Sequence, residues 1–429
     1  MRCRKNGAAA LAIGALMLLG MPHAAQGQQS EPEVLTLRQA EELARKNHPG
    51  IRAASERVKV QEAMLQRAQA AFYPTAGVRG SYENRAGVEG PNAEKNLFNT
   101  SGQVGWVVSD FGRREGTVRR EEETLEARRF SEKTSVEDVV FGVRRAFFDY
   151  LRAEALVRVE QDTVKDRETL VRQARGVFEG GTRPKIDVAR AEASLFAAQA
   201  GLIGAQNGVR IAWARLKGAM GVTEFEERPV ASGVNVRGPT MTLEEAVKAA
   251  RESRAEIMEF QSRLRAQQEA IDVVKRGRMP RVRVDGQYGR RWHNDENVIN
   301  STVTLEVPLF SGITLRPEIE RSVRDYAVIR AQLQAQRQGI ALEVEESYLN
   351  LVEASERIKA NEAQTRSAKE NLDLANGRYQ VGVGSIIEIT EAQVINTRAQ
   401  TDHIRSIYDH KVAEARLARA LGRSSDFSP

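Results

Sequence analysis

The sequence predicts a mainly helical, internally duplicated chain in which each half carries two β-strands of membrane type between its helices. Three observations predict it. Equivalent residues recur at a nearly constant offset. The apolar period changes from three-to-four to two, and back, once in each half. Two proline-free stretches hold a helical period for over sixty residues each.

The repeat fixes the architecture, so it comes first. Thr36-Leu-Arg-Gln39-Ala matches Thr242-Leu-Glu-Glu245-Ala at an offset of 206. Tyr73-Pro74 matches Met279-Pro280 at the same offset. Phe111 matches Phe310 at 199. Val143, Phe147, Tyr150 and Leu151 match Val344, Tyr348, Leu351 and Val352 at 201, as Ala219-Met-Gly221 matches Ala420-Leu-Gly422. The change from 206 to 199 places a loop about seven residues longer in the first half, near residues 86–100. The expected division is a signal at 1–27, a first repeat over 28–229, a second over 230–422 and a short tail at 423–429.

Residues 1–27 read as a secretory signal. Arg2, Arg4 and Lys5 precede the apolar run Ala8–Met21, which is too short for a spanning helix, and Ala25-Gln-Gly27 is a small-residue cleavage site. The segment carries three of the chain's six net positive charges, so the mature chain is near +3 and its basic pI says little about nucleic acid. Its Cys3 is the chain's sole cysteine, which leaves the mature protein without disulfide or thiol chemistry.

Each repeat then opens on a capping box, Thr36 with Gln39 and Thr242 with Glu245. One helix is expected from each box to about Pro74 and Pro280. Beyond it the period is two. Over Ala76–Val88, small or apolar even positions alternate with mostly polar odd ones, and Val282, Val284, Gly286 and Tyr288 alternate with Arg283, Asp285 and Gln287. The returning strands put Val104, Trp106 and Val108, and Val303, Leu305, Val307 and Leu309, on one face. Helices near 112–178 and 317–379 follow, about 95 Å long at 1.5 Å per residue. Such helices must pack along their length against others.

Strands of about ten residues match the tilted crossing of an outer membrane. Every backbone polar group in lipid must be paired, and four strands are too few to close a barrel, so several copies must share one. Three copies give twelve strands and two give eight. The apolar face then meets lipid, and Tyr82, Trp106, Tyr288 and Trp292 are expected at the interfacial aromatic girdle. Two rival readings stay open: a periplasmic coiled-coil scaffold or adaptor that spans no membrane, and an exported enzyme.

The chain resembles the TolC family of outer-membrane efflux proteins over Thr36–Gly422. The resemblance rests on the duplicated helix–hairpin–helix order, on Phe111-Gly112 and Val307-Pro-Leu-Phe310-Ser-Gly312 after the hairpins, and on two glycine turns. It implies a homotrimer: a 12-stranded β-barrel continuing into a long periplasmic α-helical barrel. It also implies a passive exit duct for tripartite efflux or type I secretion. Its partners are a periplasmic adaptor, an inner-membrane transporter that supplies the energy, and outer-membrane lipid.

The glycine turns align as Phe178-Glu-Gly-Gly181-Thr-Arg-Pro-Lys-Ile-Asp187 and Tyr379-Gln-Val-Gly382-Val-Gly-Ser-Ile-Ile-Glu388. Each glycine permits a reversal, and Asp187 and Glu388 fall in the first turn of the next helix, where the dipole favours a carboxylate. Helix stabilisation alone would explain these acids. The resemblance implies more: Asp187 and Tyr379 take the family's gate positions, Glu388 and Glu391 an acidic entrance ring, and Gly181, Thr182, Gly382 and Val383 the surface met by the adaptor. Gly384 stands where the family places a gating arginine, and Arg183 is the candidate to supply that charge.

No phosphate-binding glycine loop, His-Glu-x-x-His run, nucleophile elbow or cysteine ligand set occurs, so neither a catalytic site nor a cofactor is expected. His403 and His410 are seven apart, too far along a helix to share one metal ion. Lys275, Arg276, Arg278, Arg281 and Arg283 form a basic cluster without aromatic stacking partners. Solvation or a rim contact with anionic groups is expected of it, not nucleic acid.

Overall fold

The structure, a computed structural model, describes residues 34–84, 96–231, 235–236, 238, 241–292, 295–310 and 314–423. The expected signal and its cleavage site, most of the longer first-half loop, the end of the strand expected to Val88, and residues 424–429 lie outside the described residues.

The first half runs α1 (Leu37–Asn47), α2 (Pro49–Ala70), β1 (Thr75–Asn84), β2 (Asn96–Ser109), α3 (Arg113–Glu179) and α4 (Lys185–Met220). The second repeats that order: α5 (Leu243–Ser253), α6 (Ala255–Lys275), β3 (Arg281–Arg291), β4 (Glu296–Glu306), α7 (Leu315–Gln380) and α8 (Ile386–Ala420). Both capping boxes form. Thr36 and Thr242 accept from the backbone N–H three residues on, and Gln39 and Glu245 accept from the cap N–H at 2.9 Å.

The single opening helix expected in each half is instead two. His48 has φ −67° and ψ 123° because Pro49 follows, and proline pushes its predecessor out of the helical region. Arg254 adopts nearly the same angles with no proline near it. Each break receives the left-handed glycine that ends the repeat's last helix pair. A Cβ on Gly221 (φ 72°) would fall 2.6 Å from His48 Cα, and one on Gly422 (φ 66°) 3.3 Å from the Ser253 carbonyl. The breaks are therefore sockets that close each repeat on itself. The residues just before α1 are tied to the junction between the halves, where Leu35 N–H donates to the Pro229 carbonyl at 2.9 Å.

The four strands form one antiparallel sheet in the order β1-β2-β3-β4. Its register sorts the two faces. Tyr82 pairs with Phe98, Ala76 with Val104, Trp106 with Val284, Val284 with Val303, and Val282 with Leu305. The other face carries Gln103 opposite Gln287, Asp285 opposite Thr302 and Arg281 opposite Glu306. A one-residue slip in any pairing would mix these faces. Strands β1 and β4 are the two edges of the sheet.

Helix α3, 67 residues long, packs along its length against α2, α4, α6 and α8. Two equivalent cores sit where each half closes. One gathers Val143, Phe147, Tyr150 and Leu151 with Trp213 and Leu216, the other Ile340, Val344 and Leu351 with Ile257 and Leu417. A third core lies near the far ends of α3, α4, α7 and α8 and is built from all four.

Candidate functional site at the helical tip

The two glycine turns lie beside this third core, which holds Leu170, Ala174, Ala191, Leu372, Ile386 and Ile389. Gly181 (φ 74°) and Gly382 (φ 85°) take the left-handed conformation that ends each long helix. Their N–H groups donate to Phe178 and Tyr379 carbonyls at 2.8 and 3.0 Å. Pro184 and Ser385 are the N-caps of α4 and α8, and Ser385 Oγ accepts from Glu388 N–H at 3.2 Å. Ser385→Ala should cost the α8 start about 1 kcal/mol. Hydrogen exchange at the Glu388 amide should accelerate about fivefold, and an unchanged rate would show that this cap contributes nothing.

Arg183, Asp187 and Tyr379 converge across the two turns. Arg183 Nη2 donates to the Gly382 carbonyl at 2.9 Å and to the Gly384 carbonyl at 2.6 Å. Its Cζ lies 5.4 Å from the Tyr379 ring centre, within cation–π range. Asp187 and Tyr379 are both buried. Burial, chiefly, and then the Asp187 charge push the Tyr379 phenol above its ordinary value, while Arg183 opposes them. The phenol oxygen has no hydrogen-bond partner among the described residues.

Gly384 explains itself in this geometry. A Cβ there would lie 2.9 Å from Tyr379 N and 3.0 Å from the Arg378 backbone, so the turn is folded tightly onto the end of α7. A side chain at Gly384 would force that backbone apart. The cation nearest this backbone is Arg183 of the facing turn, which donates to the Gly384 carbonyl.

The two acids expected at an entrance ring differ in setting. Glu388 accepts from Arg378 Nε at 3.2 Å across its own turn. Glu391 is exposed one helical turn further along the same face of α8. Gly181, Thr182, Gly382 and Val383 are all exposed at the extremity.

A buried polar seam between α3 and α8 escaped the sequence reading. Buried Arg167 donates to Gln393, and the Thr163 and Thr397 hydroxyls meet at 3.2 Å. Thr163, Arg167, Leu170 and Ala174 step by four, three and four, so polar residues in an apolar stripe were the available signal.

At the sheet, Tyr82, Tyr288 and Trp292 lie towards the hairpin turns and Trp106 towards the helices, all exposed. Trp106 Nε1 donates to the Phe72 carbonyl at 2.9 Å, and Trp292 Nε1 to Thr100 Oγ1 at 3.2 Å. The basic cluster is more engaged than expected. Arg276 donates to the Gly112 carbonyl, Arg281 pairs with Glu306 and Arg283 with Asp285. Arg276 thus ties the end of α6 to the start of α3, Arg281 joins β3 to β4, and Arg283 pairs within β3. Among the described residues no group of three or more His, Cys, Asp or Glu side chains is arranged to hold a metal ion. No described helix is long and apolar enough to cross a membrane.

Comparison with known proteins places this geometry. The chain is 24% identical to Protein CyaE of Bordetella pertussis, over 91% of this chain and 85% of that one. It is 22% identical to outer membrane protein TolC of Vibrio cholerae, over 67% of this chain and 68% of that one. Its fold matches CusC, a protein described for transmembrane channel formation. That match has a TM-score of 0.80 at 18% identity, over 91% of this chain and 93% of that one. The family described as outer membrane efflux protein matches twice, at residues 41–222 and 246–423. With most of its length matched in two successive stretches, the chain belongs to the outer membrane efflux protein family.

Proposed function

We propose that this outer-membrane efflux channel is a passive trimeric duct gated at the tip that carries Gly181 and Gly382. The sheet supplies the observation that carries the reading. It has one face rich in apolar side chains, one rich in polar side chains and two open edges. Lipid tolerates no open edge, so further copies must complete the barrel. Three copies give twelve strands, with Tyr82, Trp106, Tyr288 and Trp292 at the membrane interfaces. The helices then continue the duct into the periplasm. Arg183, Asp187 and Tyr379 hold the closed tip, and Glu388 and Glu391 ring its entrance. A periplasmic adaptor contacts Gly181, Thr182, Gly382 and Val383 and joins the duct to an inner-membrane transporter. The duct itself performs no covalent chemistry.

Planar-bilayer conductance of the detergent-purified mature chain tests this reading. Discrete, small, cation-preferring steps are expected, because an acidic constriction focuses its field on cations. Glu388→Gln with Glu391→Gln should remove the preference while leaving the steps. A preference that survives both changes would place the selective ring elsewhere. Quantitative extraction of the chain without detergent would favour the periplasmic scaffold instead.

A further inference from the structure

A basic cavity of about 500 Å³ lies where the sheet meets the helices, large enough for a small organic molecule. Val107, Met279, Pro280 and Pro308 give it apolar walls. Its charged lining is Arg113, Arg114, Arg276 and Arg281 against Asp110 and Glu306, which leaves two positive charges uncompensated.

The four arginines divide by their partners. Arg281 pairs with Glu306 across β3 and β4. Arg114 is fully occupied. It pairs with Asp110 at 3.2 Å, and donates to the Ala71 carbonyl at 2.9 Å and the Val108 carbonyl at 3.2 Å. Its Cζ also lies 4.7 Å from the Phe72 ring centre. Arg113, by contrast, has no hydrogen-bond or ion-pair partner among the described residues. Half-buried Arg276 donates to the Gly112 carbonyl and meets no carboxylate among them.

The fold makes room for Arg276. A Cβ on Gly112 would fall 2.2 Å from its Nη1 and 3.1 Å from its Cζ. Gly112 also has φ 89°, so glycine alone suits both the turn and the guanidinium. As N-cap of α3, Gly112 brings no side chain to the first turn, and the positive end of that helix dipole adds to the field. Four guanidinium groups around one cavity repel one another, and a bound anion relieves the repulsion.

The cavity belongs to the polar face of the sheet, where Val107 stands opposite Arg283 and Arg281 opposite Glu306. Resting on the duct reading for the direction in which it opens, we propose that this cavity binds a soluble organic phosphate that reaches it from the duct. Arg113 and Arg276 take the phosphate oxygens, because a guanidinium fork matches them in pairs. The two uncompensated charges match a phosphomonoester, which carries close to two negative charges at neutral pH. The organic part rests on Met279 and Pro280. A lipid headgroup offers the same chemistry, but the polar face is turned away from lipid.

Calorimetric titration of the mature chain with glycerol 3-phosphate tests the site, in a maltoside detergent and a chloride buffer of low ionic strength. Saturable binding is expected. Arg113→Gln removes a side chain with no partner among the described residues, so it should leave the melting temperature unchanged and weaken binding about tenfold, roughly the worth of one charge-assisted hydrogen bond. Arg278→Gln, in the same basic run but outside the cavity, should bind like wild type. No binding by wild type, wild-type affinity in Arg113→Gln, or equal weakening in both variants would each overturn the site. Phosphatidic acid added to the micelles should not displace glycerol 3-phosphate, and displacement would give the cavity to lipid headgroups instead. In planar bilayers the same anion should reduce the conductance of wild type more than that of Arg113→Gln. Equal reduction with binding intact would place the cavity off the duct. The titration needs no membrane, so its failure leaves the duct reading standing. Saturable binding by a chain that forms no channel would overturn the duct and keep the site.

Discussion

Arg183→Ala should turn small, closed-state conductance steps into large open ones. Arg183 makes two hydrogen bonds that cross from the first turn to the second, to the carbonyls of Gly382 and Gly384. Bonds from a charged donor are worth about 1.5 kcal/mol or more each. Two per chain in three chains amount to about 9 kcal/mol held only while the turns stay together. Inverting a two-state equilibrium from 1:99 to 99:1 takes about 5.5 kcal/mol. The variant therefore has enough leverage even if about a third of the energy is recovered from water. Asp187→Ala with Tyr379→Phe should act the same way but less strongly, since the Tyr379 phenol has no hydrogen-bond partner among the described residues. Arg183→Lys keeps the charge but not the planar fork, and should fall between wild type and alanine. Single-channel recording reads all of these. Wild-type conductance in both Arg183→Ala and the Asp187–Tyr379 double variant would mean that these residues do not hold the tip closed.

Much of the fold was legible because its signals are local. The strands were readable from the alternation of Val282 and Val284 with Arg283 and Asp285. The long helices were readable from missing prolines, and the turns from Gly181 and Gly382. What was not legible depends on partners far along the chain. The break at His48 is announced by Pro49, but the one at Arg254 has no proline or glycine to mark it. It is held by Glu256, Glu343 and the Ala420 carbonyl, which only the fold brings together. Arg183 could be placed near the tip from sequence, yet its acceptors lie some 200 residues away. The Arg378–Glu388 pair spans one turn and was within reach of the sequence, whereas Arg167 with Gln393 was not. The positive φ of Phe111 has no sequence signature, since phenylalanine ordinarily avoids it.

Arg254 also carries the largest expected loss of stability. It is 2% exposed and lies at the break between α5 and α6. Its guanidinium binds Glu256 through two bonds of 2.9 and 2.7 Å, approaches Glu343 at 3.0 Å and donates to the Ala420 carbonyl at 3.0 Å. Arg419 shares both acids and adds Asp138 at 2.6 Å. Four helices, α3, α6, α7 and α8, thus meet at one charged node. Arg254→Ala leaves buried Glu256 with only the longer 3.3 Å contact to Arg419 and should cost about 3 kcal/mol, the low end of the usual penalty for removing one partner of a buried pair. Arg254→Met combined with Glu256→Leu removes both charges, leaves Glu343 to Arg419, and should cost clearly less. Chemical denaturation of detergent-solubilised protein separates the two, and equal losses would show that packing rather than charge governs the node.

The same node sets a pH response. Burial acts to raise the Glu256 carboxyl, but the hydrogen bonds and charge of Arg254 outweigh it and hold the group below 4.5. An acid with a depressed folded value contributes stability above its unfolded value and loses it as pH falls through the folded one. Glu137, raised chiefly by burial, works in the opposite sense, since its cost disappears on acidification. With Glu256 bound bidentately to Arg254 and Glu137 not so held, the Glu256 effect should dominate below about pH 4.5. Wild-type stability should therefore fall on acidification in that range. The Arg254→Met, Glu256→Leu protein should fall less steeply, and identical slopes would remove Glu256 from the account of acid sensitivity.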